Sequence, residues 1–492
     1  MGISAHTSRV VIGLAIYAGL VGLAFSVNYP GRLTPDSLDM LMRAAHPETL
    51  NNWHEPATIG FWLLFAPVLG QPASALLSQA LLIFAYPAVL IERAIAKRTI
   101  NVPFQVGLAA FVAALVGVTG IVVKDMVLVG LFMCLLAVLE FTRVGAKSLL
   151  IALPVVAALM IGIILIRPTN SVLIALTAVF WIVVHPIKIR TAISALFLIF
   201  IAVVASPSVI KSIDRSLFGA RDARPELQLI IFDVAGISSL IHEDLFAELP
   251  GWPKDSGKLR SPWECYSPIN WDTFRWGDCE EYFALVEILV DAEVRLGASI
   301  GTYGRADAAE AHAVENITAS PISWWVRSIL AHPIAYVIHR FDFAFHLIRS
   351  MSPIWTGPYP ANTDQLFGTT ANGFEMRGVF QPWKHRIVHV PFERTAAFVF
   401  SRPILLITIF VCAFVLISAW RSRRGAGAVI DLVEMEAAGI GLANFLTLTA
   451  LGVSSEGRYL LPTFVCGIVI ILRRLSLIRA RAVQHANEWS LP

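Results

Sequence analysis

Long apolar runs constrain this chain more than any other feature. A helix needs about 20 residues to cross about 30 Å of hydrocarbon. Stretches near that length recur at Val10–Val27, Ala73–Ile91, Pro103–Val123, Met126–Phe141, Ser148–Ile166, Ser171–Val184, Ile193–Val209, Pro403–Trp420, Ala437–Val453 and Tyr459–Leu472. They predict an all-α polytopic membrane protein of about ten transmembrane helices. With 56% of its 492 residues hydrophobic and 15% charged, the chain has more apolar surface than one soluble core buries. The lipid bilayer is therefore a predicted partner. Nucleic acid is not, because the net charge is only +3 and the basic residues lie in short clusters.

Between these runs, two short polar breaks, Lys124-Asp125 and Arg167-Pro168-Thr169-Asn170, divide what would otherwise read as continuous helices. The first run, followed by Asn28 and Tyr29 with no small-residue cleavage site, is expected to stay as a helix. Ala57 to Gly70 is too short to span and is expected to lie in the interface or to re-enter. With both termini in the cytoplasm, the inner segments hold fifteen basic residues and the short outer ones five, Arg32, Arg43, Lys124, Arg167 and Arg458. This arrangement satisfies the positive-inside rule.

The chain divides into three regions. Residues 1–209 form an N-terminal membrane domain whose first outer loop spans 28–72, residues 210–402 an extracytoplasmic domain, and residues 403–492 the C-terminal membrane helices and cytoplasmic tail. The middle region carries most of the acidic residues and is expected to be mostly helical, with helices over Glu280 to Leu296 and Pro321 to Arg349. Of five cysteines, only Cys265 and Cys279 fall in it, so a disulfide between them is expected on an oxidising face. Asp233, flanked by apolar residues, is expected to be buried with a hydrogen-bonding partner.

The chemistry concentrates at the outer edge of the spans, beginning with the polar stretch Asn28 to Pro56. Thr34 and Pro35 suit the start of a helix, which puts Asp36 at a helix N-terminus, either as a stabiliser of that terminus or as a reactive carboxylate. His54 and Glu55 precede Pro56 at a turn, where Trp53-His54 reads as an interfacial anchor or as part of a site. Lys124-Asp125 is either a simple ion pair or a phosphate-facing lysine beside a second carboxylate. Arg167, Glu456, Arg458 and Tyr459 map to the same edge, and the arginine forks suit phosphate oxygens. Arg340, on an amphipathic helix of the middle region, is a further phosphate candidate or a headgroup anchor. No HExxH or CxxC spacing marks a metal site.

In combination, PGRLTPDSLDMLMRA with NNWHEP, VVKDMVLVGLF, LIRPTN and EGRYLLP resemble bacterial integral-membrane glycosyltransferases of the GT-C class. Related members carry an Asp-Ser pair in the first outer loop, a Trp-His-Pro-Pro turn, a Lys-Asp on a later outer edge and an Arg-Tyr-Leu-Pro near the C-terminus. Glu55 departs from that pattern, standing where relatives often have Pro. The resemblance implies a GT-C-like fold in the bacterial inner membrane and transfer of a sugar from a polyprenyl-phosphate donor to an envelope glycan, lipid or protein acceptor. It further implies Asp36 as base or as ligand of a divalent cation, Mg or Mn, with Asp125 and Glu456 as secondary carboxylates. Lys124, Arg167 and Arg458 would meet the leaving phosphate, helped by Tyr459 and His54. The alternative is a transporter or flippase of a lipid-linked saccharide, in which the same charges bind but do no chemistry; the chain lacks the internal repeat common in transporters.

Overall fold

The computed structural model describes residues 5–45, 50–142, 146–184, 189–252, 259–269, 271–274, 277, 279–290, 320–349, 390–423, 431–454 and 457–488. They are helical throughout, apart from short turns and one two-residue ladder. The chain opens with α1 (Ala5–Asn28), β1 (Arg32–Leu33) and α2 (Pro35–Ala45). Two short helices come next, α3 (Pro56–Trp62) and α4 (Ala66–Leu69), then α5 (Ala73–Ile83), α6 (Ala85–Ala96) and α7 (Val102–Thr119). After β2 (Ile121–Val122) come α8 (Lys124–Thr142), α9 (Ala146–Ile166), α10 (Asn170–Val184) and α11 (Ile189–Phe218). Next are α12 (Glu226–Ile241), α13 (Pro262–Cys265), α14 (Glu280–Val290), α15 (Pro321–Ala331) and α16 (Pro333–Arg349). The last four are α17 (Val390–Val399), α18 (Arg402–Arg423), α19 (Leu432–Leu451) and α20 (Leu461–Glu488).

Five helices among the described residues, not ten, are long and apolar enough to cross a membrane. They are Thr7–Asn28, Ala73–Ala96, Val102–Thr119, Arg402–Ser422 and Arg458–Leu477, which mark a multi-pass membrane protein. The lower number has a physical reason. Counting apolar runs credits segments such as Ser171–Val184, which forms α10, a helix of 15 residues and shorter than the roughly 20 a crossing requires. The Met126–Phe141 run belongs to α8, which also carries Lys124, Asp125 and Glu140. The chain does break at both polar junctions, between α7 and α8 and between α9 and α10. The Ala57–Gly70 run is divided into α3 and α4 around Leu63 to Phe65.

Two compact units emerge. The first comprises Met1–Asp222, Ser352–Thr447 and Arg458–Pro492; the second comprises Ala223–Met351 with Leu448–Gly457. In the first unit α5 packs on α8, α1 on α6, and α17 on α7. A buried charge cluster ties its distant helices together, with Arg473 of α20 bonded to Tyr86 (3.0 Å), Glu140 (2.5 Å) and Asp431 (2.7 Å).

The two-residue ladder pins the segment after α1 to the segment leading into α8. β1 and β2 are parallel, with Arg32 opposite Ile121 and Leu33 opposite Val122. Arg32 N–H donates to Gly120 O at 2.9 Å, and the buried Asn28 side chain donates to Val116 O at 2.8 Å. Gly120 has no room for a side chain, since a Cβ there would lie 2.2 Å from Asn28 Oδ1. Each strand is followed at once by a helix, so the ladder holds the N-termini of α2 and α8 in register.

In the second unit α12 is the core helix, with Ile230 to Ser238 buried. Phe246, Phe274, Tyr282 and Trp324 pack as an aromatic cluster beside it. Cys265 and Cys279 are joined by a disulfide with Cα atoms 5.9 Å apart. Asp233, fully buried, accepts from Trp325 Nε1 at 2.8 Å, faces His339 Nε2 at 3.0 Å and pairs with Arg340. Tyr266 Oη lies 2.8 Å from His339 Nδ1. Burial lowers the His339 pKa despite the Asp233 hydrogen bond, leaving a neutral ring that donates to Asp233 and accepts from Tyr266.

Candidate functional site

The site is built on the two helix N-termini beyond the ladder. Thr34 caps α2, its Oγ1 accepting from Ser37 N–H at 3.2 Å with Pro35 in the first turn. Ser37, fully buried, donates its hydroxyl to Val122 O in β2. This bond fastens α2 to the strand leading into Lys124-Asp125. Asp36 and Asp125 thus each occupy the first turn of a helix, where the backbone dipole favours a negative charge.

A third segment, a 3-10 turn over Gly457–Leu460, completes the constellation. Arg458 Nη2 donates to Asp36 Oδ2 at 2.9 Å, while its Nε lies 3.6 Å from Asp125 Oδ2. Arg167 approaches the other Asp125 oxygen at 3.4 Å. Tyr459 sits among these cations, with the Arg167 guanidinium 4.2 Å and that of Arg458 5.2 Å from its ring centroid. Asn444 of α19 donates to Tyr459 O at 3.1 Å and steadies the turn.

Lys124 is served differently. A cation at a helix N-terminus opposes the dipole, and Glu55 compensates with both oxygens at 3.1 and 2.9 Å from Lys124 Nζ. Glu55 is thus the partner of the lysine. The loop bearing it is secured at residues 50 to 52, where Asn52 N–H donates to Arg221 O at 3.0 Å and its side chain to Asp222 at 2.9 Å. His54 faces Asp39 at 3.2 Å, and Asp39 also accepts from Arg43 at 2.7 Å.

The two carboxylates differ in accessibility. The Asp36 side chain retains 49% exposure and that of Asp125 only 4%. Partial burial would raise the Asp36 pKa, but Arg458, by charge and hydrogen bond, together with Lys124 and His54 holds it below the usual carboxylate value. Asp39 is lowered to about 2, chiefly by its hydrogen bond with His54.

Asp36, Asp125, Arg167, Arg458 and Tyr459 are therefore brought into one connected set of contacts, and the Glu55–Lys124 pair adjoins it because Lys124 directly precedes Asp125 in the chain. His54 stands one pair removed, on Asp39. Glu456 lies outside the described residues. Arg340 belongs to the second unit, where it is buried against Asp233 and donates to Gly452 O at 2.6 Å.

Two partners escape a reading of the sequence. Glu55 shows there only as part of a turn. Asp214, near the end of α11, is buried with no hydrogen-bond partner on Oδ1; burial, then Glu55 and Asp222, push its carboxyl up to about 6. Its only signal in the sequence is an acid in SVIKSIDRSLF, just past an apolar run.

A divalent cation fits this donor set poorly. Among the described residues no group of three His, Cys, Asp or Glu is placed to hold a metal, and the Asp36 and Asp125 oxygens face guanidinium groups. The arrangement instead suits an anion, with three cations converging at the ends of polar turns. Comparison of the chain with known protein-family models, with curated proteins and with solved structures finds no match.

Proposed function

We propose that this chain is a membrane glycosyltransferase that moves a sugar from a polyprenyl-phosphate donor to an envelope acceptor at the outer face of the bacterial inner membrane. The observation carrying this reading is the Asp36–Arg458 pair, an accessible carboxylate on a cation suited to phosphate, with Lys124 and Arg167 beside it. The GT-C resemblance of the same segments supplies the reaction class.

In this reading the donor phosphate meets Arg167 and Arg458. Their contacts to Asp125, at 3.4 and 3.6 Å, are longer than a tight charge-assisted bond of about 2.7–2.9 Å and yield readily to a competing anion. Buried Asp125 orients the two guanidiniums. As the phosphate draws Arg458 away, Asp36 loses the interaction that depresses its pKa and becomes a stronger base. The acceptor oxygen then bonds to the anomeric carbon and its proton passes to Asp36, while the carbon–phosphate-oxygen bond breaks with its electron pair leaving on the lipid phosphate. The cations stabilise that developing charge, the kind of electrostatic assistance that dominates many enzymes. No step is routed through a metal.

The test is Asp36→Asn in proteoliposomes supplied with labelled lipid-linked sugar. Transfer should fall by about 100-fold or more, the range typical of a lost general base, while donor binding persists. Unchanged transfer rules Asp36 out as the base. Passage of labelled donor across the bilayer with no glycosylated product supports a transporter instead.

A further inference from the structure

The outward face of two consecutive helices in the second unit is apolar along its length. On α15, Ile322, Val326 and Leu330 are exposed, and on α16, Ile334, Phe341 and Phe345, ranging from 41% at Val326 to 75% at Ile334. At about 100° per residue, the α16 members fall opposite the buried His339, Phe343 and Leu347. The outer side of α16 is thus apolar although its inner side is already packed in the unit, whereas a helix facing water presents a polar outer face. Isolated exposed apolar residues need no explanation; a stripe continuing across two helices does.

We infer that this stripe is a membrane-docking surface and that its occupant is the lipid bilayer. Three observations favour lipid over a protein partner. The same polypeptide has five helices apolar enough to span, so a bilayer accompanies this unit wherever the chain resides. The six stripe side chains are aliphatic or phenyl, with no group requiring a hydrogen bond, as acyl chains demand, and include none of the Tyr, Trp or Arg enriched at protein interfaces. Arg327 lies exposed at its margin, where phosphate headgroups would meet it, while the nearby Asp342 is paired with His346 at 3.6 Å. Trp324 and Arg340 hold the opposite sides of the two helices to the domain, through Leu245 O at 3.1 Å and Gly452 O at 2.6 Å. The helices are held to their own unit on one side and offered to lipid on the other. The inference is independent of the transfer chemistry.

Nitroxide labels at Leu330→Cys and Phe341→Cys, with Val326→Cys as a second α15 site, test this in the full-length protein in phosphatidylethanolamine–phosphatidylglycerol vesicles. Glu243→Cys, exposed and outside the stripe, is the aqueous control. The unsubstituted chain, whose free thiols are Cys134, Cys412 and Cys466, gives the background. The ratio of oxygen to nickel-chelate collision rates should be several-fold higher at the stripe than at Glu243. Equal ratios show a water-facing stripe and overturn the inference. Labels shielded from both agents show a protein cover and overturn it as well.

Discussion

Arg458 reaches Asp36 at 2.9 Å across 422 residues of sequence, and the same guanidinium lies 3.6 Å from Asp125. One side chain therefore stands between the two carboxylates that head α2 and α8. Its planar fork makes this possible, since separate nitrogens address separate acids.

Arg458→Ala should remove the main influence lowering the Asp36 pKa. The acid limb of the transfer pH–rate profile then moves to higher pH, while kcat/KM for the lipid-linked donor drops. Arg458→Lys keeps the charge but loses the fork, so it should hold the pH profile closer to wild type with at least about 10-fold lower kcat/KM, or ~1.4 kcal/mol. An unshifted acid limb in the alanine variant would detach Arg458 from Asp36 in function.

Glu55→Gln leaves Lys124 without its counter-charge at a helix N-terminus. Breaking a fully buried pair costs about 3–5 kcal/mol; with 21% of the Lys124 side chain exposed, a loss of about 2 kcal/mol is expected. Thermal melts in detergent should show a lower Tm for Glu55→Gln, and Lys124→Met combined with it should recover part of the loss. Additive losses would mean that the two residues do not act as a pair.

Asp214 carries the opposite sign. Its folded-state carboxyl titrates at about 6, above the unfolded value of about 3.9. The protonated form favours the fold, so this contribution is full below pH 4 and is lost as pH rises through 6. Asp214→Asn should therefore raise Tm at pH 8 and change it little at pH 4. A uniform shift at both pH values would remove titration as the cause.

The Cys265–Cys279 disulfide closes a loop with a sequence separation of 14. Chain entropy assigns such a bridge about 3 kcal/mol. Reduction should lower the melting temperature of the second unit and accelerate proteolysis within residues 259–290, with little effect on the apolar helices. Protease patterns indistinguishable with and without reductant would contradict this.

Sugar transfer should persist in EDTA, because the acids of the site are already engaged by Arg167 and Arg458. A transfer assay with and without chelator checks it. Loss on chelation, restored by added Mg, would place a cation where the described donors provide no cage.

The sequence by itself determined the helical, membrane-directed class, because hydropathy is a local property summed along the chain. It also determined the Thr34-Pro35 start of α2 and a break close to each polar junction, just before Lys124-Asp125, which open α8, and at Arg167 to Thr169, since caps and breakers act within a few residues. Run length was a weaker guide. Ten apolar runs became five helices both long and apolar enough to span among the described residues, because an apolar run can end in a short helix, as in α10, or share its helix with charges, as in α8. Only the tertiary structure decided which charges meet. Asp36 with Arg458, Glu55 with Lys124, and Arg473 with Tyr86, Glu140 and Asp431 are joined by the Arg32–Val122 ladder and by helix packing. Pairing between distant residues depends on three-dimensional closure, for which a linear pattern of charges carries no register.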